Sequence, residues 1–475
     1  MKDGGYKPGE ATLRMKQDLE DGNPQMWDLV AYRVLESPHH RSGDKWLIYP
    51  TYDFTHCLCD SFENITYVIL LCLRFPSDSF GSHSLCTTEF IQSRVSYEWL
   101  CDALDLYKPR QSEYGRLNIE GTIMSKRKLL KLVKLGHVLD WDDPRLYTLV
   151  ALRRRGVPPG AIISFVGSLG VSTATTNIQI SRFEHAVRQY LETTVPRLFL
   201  VLNPLKVTIE NLPEDYVTFI DKPLHPKVPE LGTSVIPFTR TIYIDADDFR
   251  LQDSKDYFRL APGKSVGLFQ APYPITYVSH KTNDNGEVAE VIVKLENNGK
   301  AKKPKTFIQW VAEHAPSGSP VRVDDVRIFH RLFKSDNPAA QPNYLDDIAP
   351  NSLEVTKSAM IEVGFWPLAK KSYIEARKES KERTQKAKQE AESAVISTLE
   401  EVSHGDTPRA TEDQLIGNEV VRFQALRVGY FALDKDALLG CVNQGVDVAP
   451  TMSPGDRIVL NRIVSLKEDS GKAVS

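Results

Sequence analysis

After Val195 the apolar residues of this 475-residue chain change their spacing, from the three-to-four-residue recurrence of helices to alternation with polar residues. Leu198-Phe-Leu-Val-Leu202, Thr241-Ile-Tyr-Ile-Asp245, Glu290-Val-Ile-Val-Lys294 and Val321 to Val323 are separated by Asn, Asp, Gly and Pro clusters, which predicts an all-β region of barrel or sandwich type. Upstream, Trp46 to Leu117 alternates short apolar strands with helical patterns such as Ser96 to Leu104, the mark of parallel α/β structure. That stretch is too short for a complete doubly wound sheet. Residues 122–190 read as helices, with a turn at Asp142-Asp-Pro and a break from Gly156 to Gly160. Residues 1–45 are polar and turn-rich, with strand-like pieces at Thr12 to Lys16 and Leu29 to Val34.

With 41% hydrophobic and 25% charged residues, the balance is that of a soluble, multi-domain globular protein. The most apolar stretch, Tyr67 to Phe75, is interrupted by Arg74 and falls short of the roughly 20 residues a spanning helix needs, so no membrane association and a cytoplasmic location are expected. Six cysteines, none in C-x-x-C spacing, favour reduced thiols, and no metal site is expected. The net charge of -3 confines any nucleic-acid contact to local patches, of which Lys126-Arg127-Lys128 and Arg153-Arg154-Arg155 are the candidates. Residues 368–402 are charged on nearly all sides and are expected to form a solvent-facing helical insertion, with a tail to about 413.

The residues Met124-Ser125-Lys126-Arg127-Lys128 open a basic helix. A Lys at a helix N-terminus suits chemistry in which charge develops on phosphates as pyrophosphate leaves, although alone the motif also reads as a capped basic helix start. Its neighbours make it specific: Tyr49-Pro-Thr-Tyr-Asp-Phe-Thr-His56, then Ser84-Leu-Cys-Thr-Thr-Glu-Phe90, then Pro109-Arg-Gln-Ser-Glu-Tyr-Gly-Arg-Leu-Asn118. This series resembles the glutamyl/glutaminyl group of class I aminoacyl-tRNA synthetases, along nearly the whole chain.

The resemblance implies a partial Rossmann-like α/β catalytic half, a helical subdomain and two anticodon-binding β-barrels. Residues 1–45 would be the tail of an acceptor-end domain, 46–121 the second half of the catalytic domain and 122–190 the helical subdomain. The proximal barrel would take 191–240 and 326–475, with the charged insertion at 368–413, and the distal barrel 241–325. ATP, with Mg2+, is implied as substrate at Thr87, Arg116, Leu117, Met124, Ser125 and Lys126, the last two being the catalytic candidates; no tightly bound cofactor is implied. The amino-acid pocket maps onto Tyr52, His56, Cys86 and Gln111. The family's glutamate-specific members typically carry Arg at Cys86, and a neutral thiol suits an amide, because an unpaired buried carboxylate is costly. The implied reaction is attachment of L-glutamine to tRNA(Gln) through an aminoacyl adenylate.

Anticodon contacts are implied for Arg197, Arg259, Gln424 and Arg427, side chains suited to splayed bases. Gly267 and Phe269 stand where the bacterial pattern has two further arginines. The charged insertion and the loop from Leu438 to Asp456 exceed the bacterial plan and suggest a eukaryotic cytosolic type, with other synthetases or translation factors as further candidate partners. Two departures stand out. The family's H-x-G-H motif is not in the sequence, which reads as N-terminal truncation and leads us to expect little activity from this chain alone. Residues 67–82 lie between Thr66 and His83 where the family runs directly on, and read as a mistranslated intron or an irregular loop. The alternatives are a tRNA-binding fragment without catalysis and a glutamate-specific enzyme.

Overall fold

The computed structural model describes residues 1–63, 65, 83–170, 172–296, 304–393, 416–440 and 455–466. They form two compact units, the first built on residues 1–119 and 164–178, the second on the rest. The anomalous stretch 67–82 and the expected tail to 413 lie outside the described residues.

In the first unit, Thr12–Arg14, Val30–Val34 and Ile48–Pro50 pair in that order as an antiparallel sheet. Helices Tyr52–Phe62 and Arg94–Ala103 share one core with it, of Met15, Ala31, Cys57, Tyr97, Leu100 and Cys101. The expected division between 1–45 and 46–121 falls between paired strands of one sheet. The strand Ile48–Pro50 completes the N-terminal sheet, and one hydrophobic core spans the boundary. The α/β expectation holds locally: His83–Thr87 runs parallel to Arg110–Tyr114, and Leu117–Ile119 parallel to Thr176–Ile178. Gly115 joins these two strand systems, and a Cβ there would meet the Ala174 carbonyl oxygen at 2.2 Å, so the crossing admits only glycine.

The second unit holds two seven-stranded sheets. One runs Phe307–Ile308, Ser265–Leu268, Ile275–Thr282, Val288–Leu295, Pro204–Ile209, Thr241–Asp245, Val311–Ala312. Its two edge strands are separated in sequence only by Gln309 and Trp310, so the sheet must curl until one short segment serves both edges. The other runs Arg197–Leu198, Arg422–Ala425, Gly429–Leu433, Val459–Ser465, Val321–Phe329, Leu353–Ile361, Leu200–Val201, and its edges meet across Phe199. Both sheets are thus barrels.

Alternation along a strand explains the apolar run at 198–201. Leu198 and Leu200 enter one barrel core, while Phe199 and Val201 enter the other. The expected barrel boundaries shift accordingly. Pro204–Ile209 pairs with Thr241–Asp245 and Val288–Leu295, which puts it with the distal barrel rather than in a proximal segment 191–240. The proximal sheet resumes at Val321, five residues before the expected 326. The insertion helix runs Phe365–Ser393 and is not solvent-facing throughout, because Phe365, Trp366, Leu368, Ala369 and Tyr373 anchor its first turns in the proximal core.

Helices Lys126–Lys134 and Leu149–Arg155 pack Leu129, Leu132 and Ala151 against Leu332, Phe333 and Tyr344 from a loop of the proximal barrel. The second helix ends at Gly156 with φ +99°, where a Cβ would lie 2.2 Å from the Ala432 Cβ. Gly156→Ala is therefore expected to cost about 2 to 4 kcal/mol, combining overpacking with left-handed strain. An unchanged urea midpoint would contradict this.

Candidate functional site

Helix Tyr52–Phe62 begins after Pro50 and Thr51, and its i, i+4, i+8 positions carry Tyr52, His56 and Asp60 on one face. Tyr52 stacks on His56 at 4.9 Å, and Phe90 lies 4.9 Å from the same tyrosine ring. The His56 Nε2 is 3.3 Å from Ser84 Oγ and 3.2 Å from Asp60 Oδ2, which also accepts the Tyr97 hydroxyl at 3.1 Å. The parallel register brings Cys86 and Gln111 onto adjacent strands. Gln111 donates Nε2–H to the Cys86 thiol at 3.0 Å, and its own Oε1 is buried with no partner among the described residues.

Burial pushes the Cys86 thiol pKa up and the Glu113 carboxylate adds to the rise, while Gln111 and Arg94 oppose it. Arg94 is committed to Glu113 through a two-armed pair, with Nε to Oε1 at 3.0 Å. Tyr52 is raised in turn, by burial first and then by Cys86 and Asp60. Tyr52, His56, Cys86 and Gln111 thus lie near one another in this unit, Tyr52 against His56 and close enough to Cys86 to feel its charge, and Gln111 on Cys86. Sequence reasoning missed Arg94, Glu113 and Asp60; the i+4 spacing of His56 and Asp60 is the signal that could have found the last.

Of the expected ATP residues, Thr87, Arg116 and Leu117 belong to the first unit. Thr87 closes the Cys86 strand and bonds the exposed Glu89, whose pKa is lowered by that bond, by its own backbone amide and, more weakly, by the charge of Arg116. Met124, Ser125 and Lys126 belong to the second unit and are exposed. Ser125 occupies the N-cap position of helix Lys126–Lys134 without a side-chain cap bond, and no acidic residue stands in the first turn. That leaves helix N–H groups and positive dipole available to an anion. Lys128, by contrast, is used up locally: its Nζ bonds the Ala339 carbonyl at 3.2 Å and lies 5.2 Å from the Tyr344 ring centroid.

The anticodon candidates form two clusters. Arg259 and Arg427 meet on Asp248, which accepts from Arg427 at 3.0 and 3.1 Å and pairs with Arg259 at 2.9 Å. Asp248 is almost wholly buried, and burial is the main cause of its raised pKa, against both arginines. Arg427 sits at a hairpin tip with φ +64°, a strain its two-armed bond compensates. Arg197 and Gln424 face each other across paired strands. Arg197 donates to Glu192 at 2.7 Å, and Glu192 also accepts the Tyr430 hydroxyl at 2.6 Å. Asp248 and Glu192 were not found from sequence: Arg427 and Tyr430 lie far from them along the chain, and the nearer partners Arg259 and Arg197 carry no local signal of the pairing. An arginine at 267 would not fit, because a Cβ there meets the Phe307 ring at 2.4 Å.

The basic run Arg153-Arg154-Arg155 is engaged by partners within the protein. Arg153 pairs with Glu419, Arg154 is buried on Asp434, and Arg155 donates to the Ile463 carbonyl at 2.9 Å. A groove of about 1170 Å³ in this unit includes Arg145, Arg155 and Arg331 in its lining. They pair with Asp143, Glu184 and Asp336, so much of its positive charge is neutralised within the protein.

Residues 1–72 and 78–193 match the catalytic domain of the tRNA synthetases class I (E and Q). Residues 195–296 and 307–374 match two anticodon-binding domains of the same group. A probable glutamine–tRNA ligase of Schizosaccharomyces pombe is 51% identical over 99% of this chain and 51% of its own length. The glutamine–tRNA ligase of Saccharomyces cerevisiae is 46% identical over 99% of this chain and 52% of its own length. A cytoplasmic glutamine–tRNA ligase of Arabidopsis thaliana is 40% identical over 99% of this chain and 50% of its own length. The chain thus spans about half the length of these relatives.

Proposed function

Because this chain belongs to the class I tRNA synthetases of the E and Q group, we propose that it serves the ATP-dependent attachment of glutamine to tRNA(Gln) in the cytoplasm. In this reading the glutamine carboxylate attacks the α-phosphate of ATP, pyrophosphate leaves, and the adenylate passes its acyl group to the terminal ribose of the tRNA. Thr87, Arg116, Leu117, Met124, Ser125 and Lys126 would hold the nucleotide, and Mg2+ accompanying it would offset charge on the phosphates. Arg197, Arg259, Gln424 and Arg427 would read the anticodon.

The observation that carries the choice of amino acid is the pocket at Cys86. Gln111 donates to the Cys86 thiol, so the two together present neutral groups; burial first and then Glu113 raise the thiol pKa, and Arg94 is already engaged by Glu113. A glutamate side chain entering there would lose its water without gaining a cation. A site with fixed polar groups rejects such an analogue by about 10⁴.

The test is charging of tRNA(Gln) with labelled glutamine or glutamate in the presence of ATP and Mg2+. Glutamine is expected to be favoured by at least about 10³. Preferential charging with glutamate would overturn the reading of the pocket. Tight tRNA binding with no charging would favour a binding role instead.

A further inference from the structure

Arg188 lies on helix Ile180–Thr194, one turn before Glu192 and one turn after Glu184. It is about nine-tenths buried, yet neither of its terminal nitrogens has a hydrogen-bond partner among the described residues. The nearest acid is Glu184 at 3.8 Å, beyond bonding distance and shared with Arg155 at 3.7 Å. Glu192, at the same i+4 spacing on the other side, is taken by Arg197 and Tyr430. The charges of Arg188 and Arg197 both reach the Tyr430 phenol and oppose the rise that burial and Glu192 impose on its pKa. Two guanidinium groups and one carboxylate therefore surround the same tyrosine; among the described residues Arg197 has a hydrogen-bonded acid, although its Nε has no partner, and Arg188 has none.

A desolvated guanidinium without an acceptor is costly and implies that its partner arrives in another state. An incoming ligand atom is a poor candidate, because the terminal nitrogens are shut off from solvent. Glu192 is a good one: its side chain is 46% exposed, against 19% for Arg197, and its helix position already faces Arg188. We infer that Arg188 is a positioning residue for base reading by Arg197, taking over Glu192 when an RNA base claims the Arg197 guanidinium. The exchange keeps one ion pair intact, so Arg197 turns to the base without stranding a carboxylate. This rests on the proposed reading of Arg197 as an anticodon contact.

The test titrates a fluorescent anticodon stem-loop RNA, carrying a glutamine anticodon, with the chain at low ionic strength, where phosphate contacts keep weak binding measurable. Arg188→Gln is expected to weaken binding about tenfold. In an Arg197→Gln background the same substitution should have no further effect, since no exchange remains to support. The unfolding midpoint of RNA-free Arg188→Gln should not fall, because the wild-type charge is unsatisfied there. Unchanged affinity, or an equal loss with and without Arg197, would overturn the inference. So would a lowered midpoint, which would make Arg188 a purely structural ion. If the wild-type chain does not bind the stem-loop, the functional reading of the barrels falls and the inference with it; if it binds and only the coupling is missing, the inference alone falls.

Discussion

Asp434→Ala is expected to lower the stability of the second unit by about 3 to 5 kcal/mol, the range for stranding a buried ion. Asp434 is fully buried at the end of strand Gly429–Leu433. It accepts Arg154 Nε at 3.0 Å and Nη2 at 3.2 Å, Arg327 Nη1 at 3.1 Å, the Asn461 side-chain amide and the Asp436 backbone amide at 2.9 Å. Arg154 comes from the helical subdomain, so this carboxylate fastens helix Leu149–Arg155 to the proximal barrel. After substitution Arg154, whose side chain is only 6% exposed, keeps Asp142 at 3.2 Å and Asp436 at 3.0 Å, both at the cluster's wetter rim. Asp434→Asn keeps the shape and some acceptors, and should cost less. Urea unfolding followed by tryptophan fluorescence measures both, and equal, small losses would mean that the cluster is a solvated surface network.

Periodicity made the elements legible. Thr241–Asp245 has its expected bounds, and helix Ile180–Thr194 contains the expected Phe183 to Leu191. It did not reveal which sheet a strand joins. Leu198 to Leu202 reads as one apolar strand, but its residues alternate between two cores, and a sequence without a polar face carries no sign of that. The same limit moved Pro204–Ile209 from one barrel to the other, since its partners lie far downstream. The pocket residues were legible as motif members, and the parallel register then brought Cys86 and Gln111 together. Their charged supports were not, because Arg94 and Glu113, or Arg427 and Asp248, become partners only through tertiary folding. The run Arg153-Arg154-Arg155 shows the converse: a cationic patch in sequence is an internal clamp once its acids are known.

In an enzyme of its relatives' full length that contains this chain, Lys126→Ala is expected to slow charging by about 10², near the 3 kcal/mol associated with losing a transition-state donor, while leaving stability almost unchanged. Lys126 is exposed at the first position of its helix, beside an N-cap serine whose hydroxyl makes no cap bond. It is thus free to approach phosphates that the helix dipole already favours. Two residues on, Lys128 has the same charge but is bonded to the Ala339 carbonyl and packed over Tyr344, whose hydroxyl donates to the Lys128 carbonyl at 3.2 Å. Lys128→Ala should therefore lower the unfolding midpoint and leave the charging rate within a few-fold of wild type. The contrast separates electrostatic catalysis from bulk positive charge, because the net charge changes equally in both variants. A KM for ATP raised equally in both, with kcat preserved, would mean that the run binds the nucleotide as a diffuse cationic patch and that no single lysine stabilises the departing pyrophosphate.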